Sequence, residues 1–376
     1  MRKIIYITGT RADYGLMRST LFAISRDPRL ELQLIVTGMH LDEAYGKTHS
    51  EIEYDEFEIA GYVETDLAGA DLSFMARAIG TMVIGFSSLL EREQPDIVLL
   101  LGDRGEMLAG AIAALHLNIP IVHMHGGERS GTVDDPVRHA VSKLSHYHFT
   151  ATKDAAIRLV RMGEREDRVM CVGAPGIDNL KDQAKLDRKE CLENVGFSED
   201  RLVALMVFHP VVQEMAEGPR QTREIINALL ELQFQIIVMT PNSDLGGNEI
   251  LHTLKVLSSH SDVRVFNHLP RGDFLSWLAN VDVMIGNSSS GIIEAATFGT
   301  PVVNIGKRQM LRERNANIID VEPDCAQISM ALGEVIKRGR FNSTNVYGDG
   351  ATAPRITSLL ATIPLGKAVL EKYCAY

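Results

Sequence analysis

The chain has 376 residues, of which 45% are hydrophobic and 23% are charged, and its formal net charge is −11. This composition is typical of a globular protein and excludes a predominantly disordered chain. Non-specific binding to nucleic acid or to anionic membranes needs basic surfaces, which an acidic chain is poorly placed to offer. We therefore expect neither partner, although a local basic pocket for a phosphorylated small molecule stays compatible with the charge.

The cysteines and the first residues of the chain indicate the cellular compartment in which the protein is expected. Four scattered cysteines lack the paired spacing of zinc sites and of disulfide frameworks. Met1-Arg2-Lys3 leads directly into an apolar run that is too short for a secretory signal. No apolar stretch is expected to approach the roughly 18 residues that span a bilayer. These features predict a cytoplasmic protein without a structural metal.

Short apolar runs rich in Ile and Val alternate with longer segments of helical period along the chain. This alternation predicts parallel β-sheets covered by helices on both faces, with right-handed crossovers. Roughly eleven strands are many for one sheet, so we expect two doubly wound sheets of five or six strands each. The predicted strands are Lys3–Gly9, Leu32–Gly38, Asp96–Asp103, Pro120–Gly126, His146–Ala151, Arg168–Gly173, Leu202–His209, Gln235–Thr240, Val263–Phe266, Val281–Asn287 and Pro301–Gly306.

A Gly-Ala-Pro-Gly stretch at residues 173–176, followed by a polar segment, marks the predicted domain boundary. It gives a first Rossmann-like domain over residues 1–176 and a second over 177–376. The segment after Pro354 is predicted to be a final helix that packs back on the first domain. Ligands of open α/β sheets bind beyond the carboxyl ends of the strands. Two such domains facing each other would form a cleft, so the residues that end strands are the candidates for function.

Two strand ends in the first half carry charged residues. The first strand ends in Gly9–Gly15 (GTRADYG), where small residues open backbone N–H groups to an anion and Arg11 adds a phosphate-binding fork. The stretch matches neither dinucleotide-binding nor Walker spacing. Gly102-Asp103-Arg104 ends another strand. Asp103 is there either a catalytic carboxylate or a helix N-cap, and the first turn is either an anion site or an ordinary turn.

The most unusual stretch runs from His123 to Asp135 and holds two histidines, three acids and three glycines. Carboxylates and imidazoles around one cleft are typical of general acid–base chemistry. His-x-His spacing also allows a metal site, but no third ligand follows at a suitable spacing. Arg138 lies one turn after Asp134 and either orients it or forms a simple helical pair. His139, His146 and His148 are explained by a helix and a strand.

The second half offers a second anion site. Gly286–Gly291 (GNSSSG) closes a strand and opens a helix, and serine hydroxyls with N-terminal amides bind phosphate well. Glu294, expected in the second turn of that helix, is placed to accept hydrogen bonds from paired sugar hydroxyls. His209 and Asn242 each follow a strand, and Arg308 and Arg312 lie beyond the next one. Phosphate-binding features on both domains indicate a nucleotide-activated sugar, while a serine N-cap and turn residues remain the simpler explanations.

Taken in order, these stretches resemble the bacterial hydrolysing UDP-N-acetylglucosamine 2-epimerases of sialic-acid biosynthesis. One stretch alone is a weak signal, and the ordered set over about residues 1–320 is a strong one. The resemblance implies two Rossmann-like domains in the GT-B arrangement and a UDP pocket mainly on the second domain. The stretches are Gly9–Gly15, Val36–Gly46, Gly102–Arg104, His123–Glu128, Asp134–His139, Phe208–Pro210, Gly286–Gly291 and Arg308–Gln309.

The resemblance implies roles for single positions. Asp103, Asp134 and Arg138 match catalytic-centre positions, and His40 matches a histidine that faces the sugar. Many relatives have Glu where His125 stands, so His125 and Glu128 are both candidates for handling the C2 proton. The positions that match those around the uridine, ribose and phosphates are Arg11, Arg104, His209, Asn242, Ser288, Ser289, Glu294 and Arg308.

The resemblance also implies a reaction in which UDP-N-acetylglucosamine and water give N-acetylmannosamine and UDP. We hypothesise that the C2 proton is removed as UDP leaves C1, and that water then adds to the 2-acetamidoglycal as a proton returns to C2. This chemistry requires neither a metal nor a redox cofactor. Because relatives are commonly dimers or tetramers, we expect self-association.

Four other functions stay open at this point. The same chemistry could act on the 2,4-diacetamido-trideoxy sugar nucleotide of the legionaminic acid route. A GT-B glycosyltransferase would share the fold and the UDP pocket but would need an acceptor. A non-hydrolysing epimerase would return the epimeric UDP-sugar, and a nucleotide-sugar sensor would bind UDP and release nothing.

Overall fold

The computed structural model describes residues 1–43, 46, 48–65, 73–130, 134–241 and 246–375. The chain divides into two compact units. The first contains Met1–Glu128, Asp134–Asp178 and Tyr347–Tyr376, and the second contains Arg129–Val133 and Asn179–Val346. Each unit is built on its own parallel sheet, so the expected α/β fold class with two doubly wound sheets is confirmed.

The first unit holds a seven-stranded sheet in the order β3-β2-β1-β4-β5-β6-β7, in which every pair is parallel. The strand order reverses between β1 and β4, which makes their carboxyl ends the point where ligands bind in open α/β sheets. The strands are β1 (Arg2–Thr8), β2 (Leu30–Thr37), β3 (Ile59–Val63), β4 (Ile97–Leu101), β5 (Ile121–Met124), β6 (Tyr147–Thr150) and β7 (Val169–Cys171).

Helices cover both faces of this sheet. Successive residues of β1 divide between two cores, with Ile4 and Tyr6 in one and Ile5 and Ile7 in the other. Both cores are buried, and for this reason the central strands are continuously apolar. The helices of the first unit are α1 (Arg11–Ser25), α2 (His49–Tyr54), α3 (Phe74–Glu93), α4 (Gly105–His116), α5 (Asp134–Leu144), α6 (Lys153–Arg161), α15 (Thr352–Thr362) and α16 (Lys367–Leu370).

The C-terminal segment belongs to the first unit. The sequence analysis counted residues 347–376 with the second domain and expected only a final helix to pack back. In the structure Asp178 accepts hydrogen bonds from the Thr352 and Ala353 amides at 2.9 and 2.5 Å, which satisfies the start of α15. Arg2 donates to the Leu360 carbonyl at 2.7 Å, so the end of this helix is fastened to β1.

The second unit holds a six-stranded parallel sheet in the order β10-β9-β8-β11-β12-β13, with its reversal between β8 and β11. Its strands are β8 (Val203–Val207), β9 (Gln235–Met239), β10 (Val263–Phe266), β11 (Val283–Gly286), β12 (Val302–Ile305) and β13 (Ile318–Val321). Its helices are α7 (Leu180–Gln183), α8 (Arg188–Glu193), α9 (Gly218–Glu231), α10 (Gly247–Leu257), α11 (Arg271–Asn280), α12 (Ser289–Ile293), α13 (Ala295–Phe298) and α14 (Cys325–Arg338).

Gly286 allows β8 and β11 to approach each other at the reversal point. Its φ is +132°, and a Cβ there would lie 2.1 Å from the Val207 carbonyl oxygen. Only glycine fits such an approach without displacing backbone. The two strand ends that carry His209 and Asn287 are thereby held side by side.

Two strands of the structure were missing from the predicted set. These are β3 and β13, which both lie at the edge of a sheet. Most of their residues are only partly buried, so they lack the long apolar run of a central strand. Each predicted strand has a counterpart in one of the two sheets.

One prediction about membrane-spanning length was wrong. Within the described ranges, α3 alone is long and apolar enough by length and composition to cross a membrane. One such helix is weak evidence for a membrane span. In α3, 22% of the apolar window is buried, as a stripe at helical spacing: Phe74, Ala78, Met82, Phe86 and Leu90. The helix is therefore weak support for a membrane partner, and the cytoplasmic location stays a prediction.

We expect the buried stripe of α3 to stabilise the first unit. Phe86→Ala should lower the free energy of unfolding by roughly 3–5 kcal/mol, because Phe86 is fully buried and its removal leaves a cavity. Ile84→Ala is the matched control, since Ile84 is 72% exposed on the same helix, and should change it by less than about 0.5 kcal/mol. Urea unfolding followed by circular dichroism measures both. Equal losses would contradict the assignment of α3 as a core helix.

Candidate active site

The turn after β1 is organised by a buried carboxylate, that of Asp13. It accepts hydrogen bonds from the Gly9 and Thr10 amides at 3.1 and 2.7 Å and from the Thr8 hydroxyl. The Thr10 side chain in turn accepts from the Asp13 amide, which completes a capping box at the start of α1. Burial raises the pKa of Asp13 to about 6 against these favourable hydrogen bonds. The turn that presents Arg11 is thus held from beneath.

His40 lies beneath the same turn and is fully buried. Its Nε2 is 3.0 Å from the Thr8 hydroxyl, and its Nδ1 is 2.8 Å from the Thr48 hydroxyl. The Thr8 hydroxyl donates its hydrogen bond to Asp13, so its oxygen accepts one from Nε2–H of His40. Nδ1 of His40 then accepts a hydrogen bond from the Thr48 hydroxyl. Burial lowers the pKa of His40 to about 4, which keeps the ring neutral. Through these contacts His40 supports the turn inside the first unit, and its expected place facing the sugar stays a prediction.

A buried guanidinium joins three segments at the carboxyl edge of the first sheet. Arg138 on α5 donates to the Asp103 carboxylate at the end of β4, to Asp135 at 2.7 Å and to the Glu128 carbonyl at 3.1 Å. Its side chain is 1% exposed, so this charge depends on those acceptors. The N-cap residue of α4 is Arg104, which corrects the simpler explanation of Asp103 as that cap.

Arg138 contacts Asp103 and Asp135, while its expected relation to Asp134, as an orienting group or as a simple helical pair, stays a prediction. The i,i+3 spacing from Asp135 to Arg138 explains the helical pair. The partnership with Asp103 spans 35 residues of chain and follows from the crossing of β4 and α5. Asp134 begins α5, at the amide end of the helix.

His125 and Glu128 form a close pair just beyond β5. Nδ1 of His125 lies 2.5 Å from the Glu128 carboxylate, and both side chains are at least nine-tenths buried. His125 has a left-handed backbone, with φ of +61°, which is uncommon for a residue other than glycine. Its Nε2 is buried and has no hydrogen-bond partner among the described residues. Such conformations concentrate at functional sites.

The remaining histidines near β5 and β6 make internal contacts. Nε2 of His123 is 2.7 Å from the Gly102 carbonyl, and burial lowers the His123 pKa to about 3. His146 accepts from the Ile121 amide at 3.0 Å, and His148 lies 2.9 Å from Glu164. The structural explanation of His146 and His148 therefore agrees with their placement.

In the second unit, Asn287 links the ends of β8 and β11. Its carbonyl oxygen accepts from the His209 amide at 2.7 Å, and its amide group donates to the His209 carbonyl at 2.8 Å. Arg308 and Gln309 both donate to a different acceptor, the backbone carbonyl oxygen of Asn287, at 3.1 Å. Three of the stretches singled out in the sequence thus meet at one point. Asn242 lies outside the described residues.

Glu294 lies at a break between two short helices. It ends α12 and begins α13, and its amide donates to the Ser290 carbonyl at 2.9 Å, so it lies one turn into the helical segment that Ser288 opens, as expected. Arg271 on α11 donates to one carboxylate oxygen, while the other oxygen is buried without a partner among the described residues. A buried acceptor of this kind suits the hydroxyls of a ligand. Ser288 caps α12, and Ser289 is its first residue.

Of the arginines expected around the diphosphate, Arg11 and Arg104 lie in the first unit and Arg308 lies in the second. Burial lowers the pKa of Arg11. Arg104 lies 3.3 Å from the buried Glu106 carboxylate, and Arg308 contacts Asn287 as described above. Over the part of the chain that the structure describes, no group of three or more His, Cys, Asp or Glu is arranged to hold a metal ion. The absence of a cofactor stays a prediction.

The structure adds residues that sequence reasoning missed. Thr8 and Asp13 lie at the centre of the first turn, and the Thr10-x-x-Asp13 spacing is a capping signal that could have identified one of them. Asn287 lies inside a motif that was chosen for its serines. Arg271 carries no local signal, because only the packing of α11 brings it to Glu294.

The comparisons with known proteins identify the family. A profile of the UDP-N-acetylglucosamine 2-epimerase family matches residues 22–361. The chain is 52% identical over 376 residues to a Legionella pneumophila protein named UDP-N,N'-diacetylbacillosamine 2-epimerase (hydrolyzing), covering all of both chains. It is 35% identical over 353 residues to a Neisseria meningitidis UDP-N-acetylglucosamine 2-epimerase, covering 94% and 92% of the two chains.

The chain therefore belongs to the UDP-N-acetylglucosamine 2-epimerase family of enzymes. A solved structure supports the fold. The Neisseria meningitidis UDP-GlcNAc 2-epimerase bound to UDP-GlcNAc gives a TM-score of 0.81 at 20% identity, covering 95% of this chain and 99% of that one. The predicted family is confirmed. Substrate, site roles and self-association are not decided by this match.

The buried neutral state of His40 predicts a pH dependence of stability. Its pKa falls from 6.5 in the unfolded chain to about 4 in the folded protein. The resulting stability is present above pH 6.5 and is lost as the pH falls toward 4, by on the order of 3 kcal/mol at most. His40→Gln should therefore flatten the decline of unfolding free energy between pH 6.5 and 4.

His116→Gln provides the control, because His116 is exposed at the end of α4 and should keep the wild-type slope. Urea unfolding at several pH values measures all three proteins. A His40→Gln slope equal to that of wild type would show that the imidazole titrates as it does in the unfolded chain.

Proposed function

We propose that this protein is a hydrolysing 2-epimerase that converts a UDP-2,4-diacetamido-2,4,6-trideoxyhexose and water into the 2-epimeric free sugar and UDP. The observation that carries the proposal is the 52% identity, over the whole chain, to the Legionella enzyme named for UDP-N,N'-diacetylbacillosamine. This favours the alternative substrate of the sequence analysis over UDP-N-acetylglucosamine. The 35% identical Neisseria enzyme named for UDP-N-acetylglucosamine is the reason to keep the latter as the second candidate.

The roles follow from the contacts of each unit. In the first unit, Asp103, His125, Glu128 and Asp134 supply the acids and bases that a C2 proton transfer needs, and Arg138 holds Asp103. Arg11 and Arg104 offset the charge of the departing diphosphate. In the second unit, Ser288 and Ser289 bind phosphate through hydroxyl and amide groups, and Glu294 accepts from the ribose hydroxyls. His209, Asn242 and Arg308 complete the UDP contacts.

The reaction proceeds by elimination and then hydration. A base takes the C2 proton, the C2–H electron pair becomes the C1–C2 double bond, and UDP leaves with the C1–O electrons. Water then adds its oxygen to C1 while an acid on the opposite face protonates C2. Because the proton arrives on the opposite face, the C2 configuration inverts. Because it comes from solvent-exchanging groups, the product acquires a solvent hydrogen.

Activity assays with both candidate substrates should distinguish the proposed hydrolysing epimerase from the alternative functions. The protein alone, without an acceptor, should release UDP and free sugar from the diacetamido substrate with a kcat/KM roughly 10–200-fold above that for UDP-N-acetylglucosamine. In D₂O the product should carry deuterium at C2, read by proton NMR. A higher kcat/KM for UDP-N-acetylglucosamine would identify that sugar nucleotide as the substrate instead. Turnover only with an acceptor would indicate a glycosyltransferase, and product without C2 deuterium would exclude the elimination.

Substitutions should separate chemistry from nucleotide binding. Asp103→Asn and Asp134→Asn should lower kcat by about 10²–10⁴-fold while UDP still binds, because each removes a proton-transfer or charged group of the first unit. Steady-state kinetics and calorimetric titration with UDP measure the two effects. Full turnover in either variant would remove that residue from the catalytic set.

Glu294→Gln should give the opposite pattern and weaken UDP binding by roughly 10–100-fold, the loss expected for a hydrogen bond to a charged group. Glu334→Gln on α14 is the matched control, because Glu334 is exposed and pairs only with a solvent-facing arginine. It should bind UDP like wild type. Equal affinities in all three proteins would refute the role of Glu294.

A further inference from the structure

The two ring nitrogens of His125 lie in different surroundings, one beside the Glu128 carboxylate and one without a hydrogen-bond partner among the described residues. Glu128 is buried, and one of its carboxylate oxygens lies 2.5 Å from Nδ1 of His125. The backbone amide of His125 donates to the Phe149 carbonyl at 3.1 Å, which anchors the residue to β6. The remaining ring nitrogen, Nε2, is buried without a partner among the described residues. The imidazole is therefore hydrogen-bonded at Nδ1, while Nε2 is buried and has no hydrogen-bond partner among the described residues.

The hydrogen bond to Glu128 determines which nitrogen carries the proton. A carboxylate only accepts, so Nδ1 holds the hydrogen and Nε2 of the neutral ring has a lone pair. A lone pair on a buried, unpartnered nitrogen is a ready proton acceptor. The same arrangement, a carboxylate that fixes the tautomer of a histidine base, operates in the serine-protease triad.

The surrounding loop holds this geometry in place. Gly127 has φ of +78°, and a Cβ there would lie 2.3 Å from the Ala155 carbonyl oxygen, so the loop packs tightly on α6. Arg138 donates to the Glu128 carbonyl at 3.1 Å, and Arg158 donates to the Gly127 carbonyl. The loop that carries the His125–Glu128 pair, called the dyad below, is thus held to α5 by Arg138 and to α6 by Arg158.

From these contacts we infer that His125 Nε2 is the base that removes the C2 proton, and that Glu128 is a positioning residue. This assignment rests on the proposed function and decides between the two candidates that the sequence left open. In the step, Nε2 gains the C2 proton, the C1–C2 double bond forms, and UDP leaves with the C1–O electron pair. The imidazolium then loses its proton to solvent, which restores the starting tautomer.

Two variants of His125 test the base. His125→Gln should lower kcat by roughly 10²–10⁴-fold and leave UDP affinity unchanged. His125→Gly keeps the left-handed backbone, which glycine adopts freely, and leaves room for a small base. Added imidazole should therefore restore turnover in His125→Gly and have no effect on wild type. His116→Gln, an exposed substitution of the same kind, should retain wild-type kcat.

Glu128→Gln tests positioning, because it exchanges a carboxylate for a weaker acceptor of the same shape. We expect kcat to fall with KM unchanged, the sign of an interaction used in the transition state. Nitrogen-15 NMR, with His125 assigned by comparison with His125→Gln, should show the Nδ1–H tautomer in wild type and a gain of Nε2–H in Glu128→Gln. Glu91→Gln, an exposed position on α3, is the matched control.

The outcomes separate the inference from the function on which it rests. Active wild type, inactive His125→Gln, imidazole rescue and the tautomer change would support the dyad. Active wild type with full turnover in His125→Gln, or with an unchanged tautomer and kcat in Glu128→Gln, would overturn the dyad and leave the epimerase proposal standing. Wild type that releases UDP from neither substrate would overturn both.

Discussion

The first unit depends on the burial of one cation, the guanidinium of Arg138. A charge that is 1% exposed must be compensated by acceptors, and here they come from β4, the loop after β5 and α5. Removing one partner of a buried ion pair typically costs about 3–5 kcal/mol, because the other charge stays buried. The contacts that keep these segments together therefore also set the position of Asp103. In this unit, stability and the candidate chemistry share the same hydrogen bonds.

In the second unit, the neutral side chain of Asn287 joins neighbouring segments through buried hydrogen bonds. Asn287 satisfies both backbone groups of His209 with its side-chain amide, and two further side chains donate to its backbone carbonyl. Beside it, Glu294 has one oxygen paired with Arg271 and the other left for a ligand. Each unit thus places its polar groups where the strand order of its sheet reverses. The hydrophobic strands supply the rigid frame, and the strand ends supply the chemistry.

Sequence patterns predicted the central strands and the motifs well, and the edges and partnerships poorly. A strand covered on both faces must be apolar throughout, so β1, β4, β8 and β11 are visible as continuous runs. The partly exposed β3 and β13 carry no such run and were missed. His40 was expected to face the sugar, but a histidine in a motif carries no sign of whether its nitrogens contact a ligand or Thr8 and Thr48.

The sequence alone determined the central strands, their alternation with helices and which polar residues lie at strand ends, because these properties depend on local periodicity and order along the chain. The order of the strands, and with it the point where each sheet reverses, belongs to the tertiary structure. The tertiary structure decided which charges are paired. Asp103 meets Arg138 and Glu294 meets Arg271 only because distant helices pack beside those strand ends. It also decided that His125 is hydrogen-bonded at Nδ1 and that its Nε2 is buried without a partner among the described residues. Burial makes such pairings obligatory, but the partner is chosen by packing in three dimensions, which no spacing in the chain records.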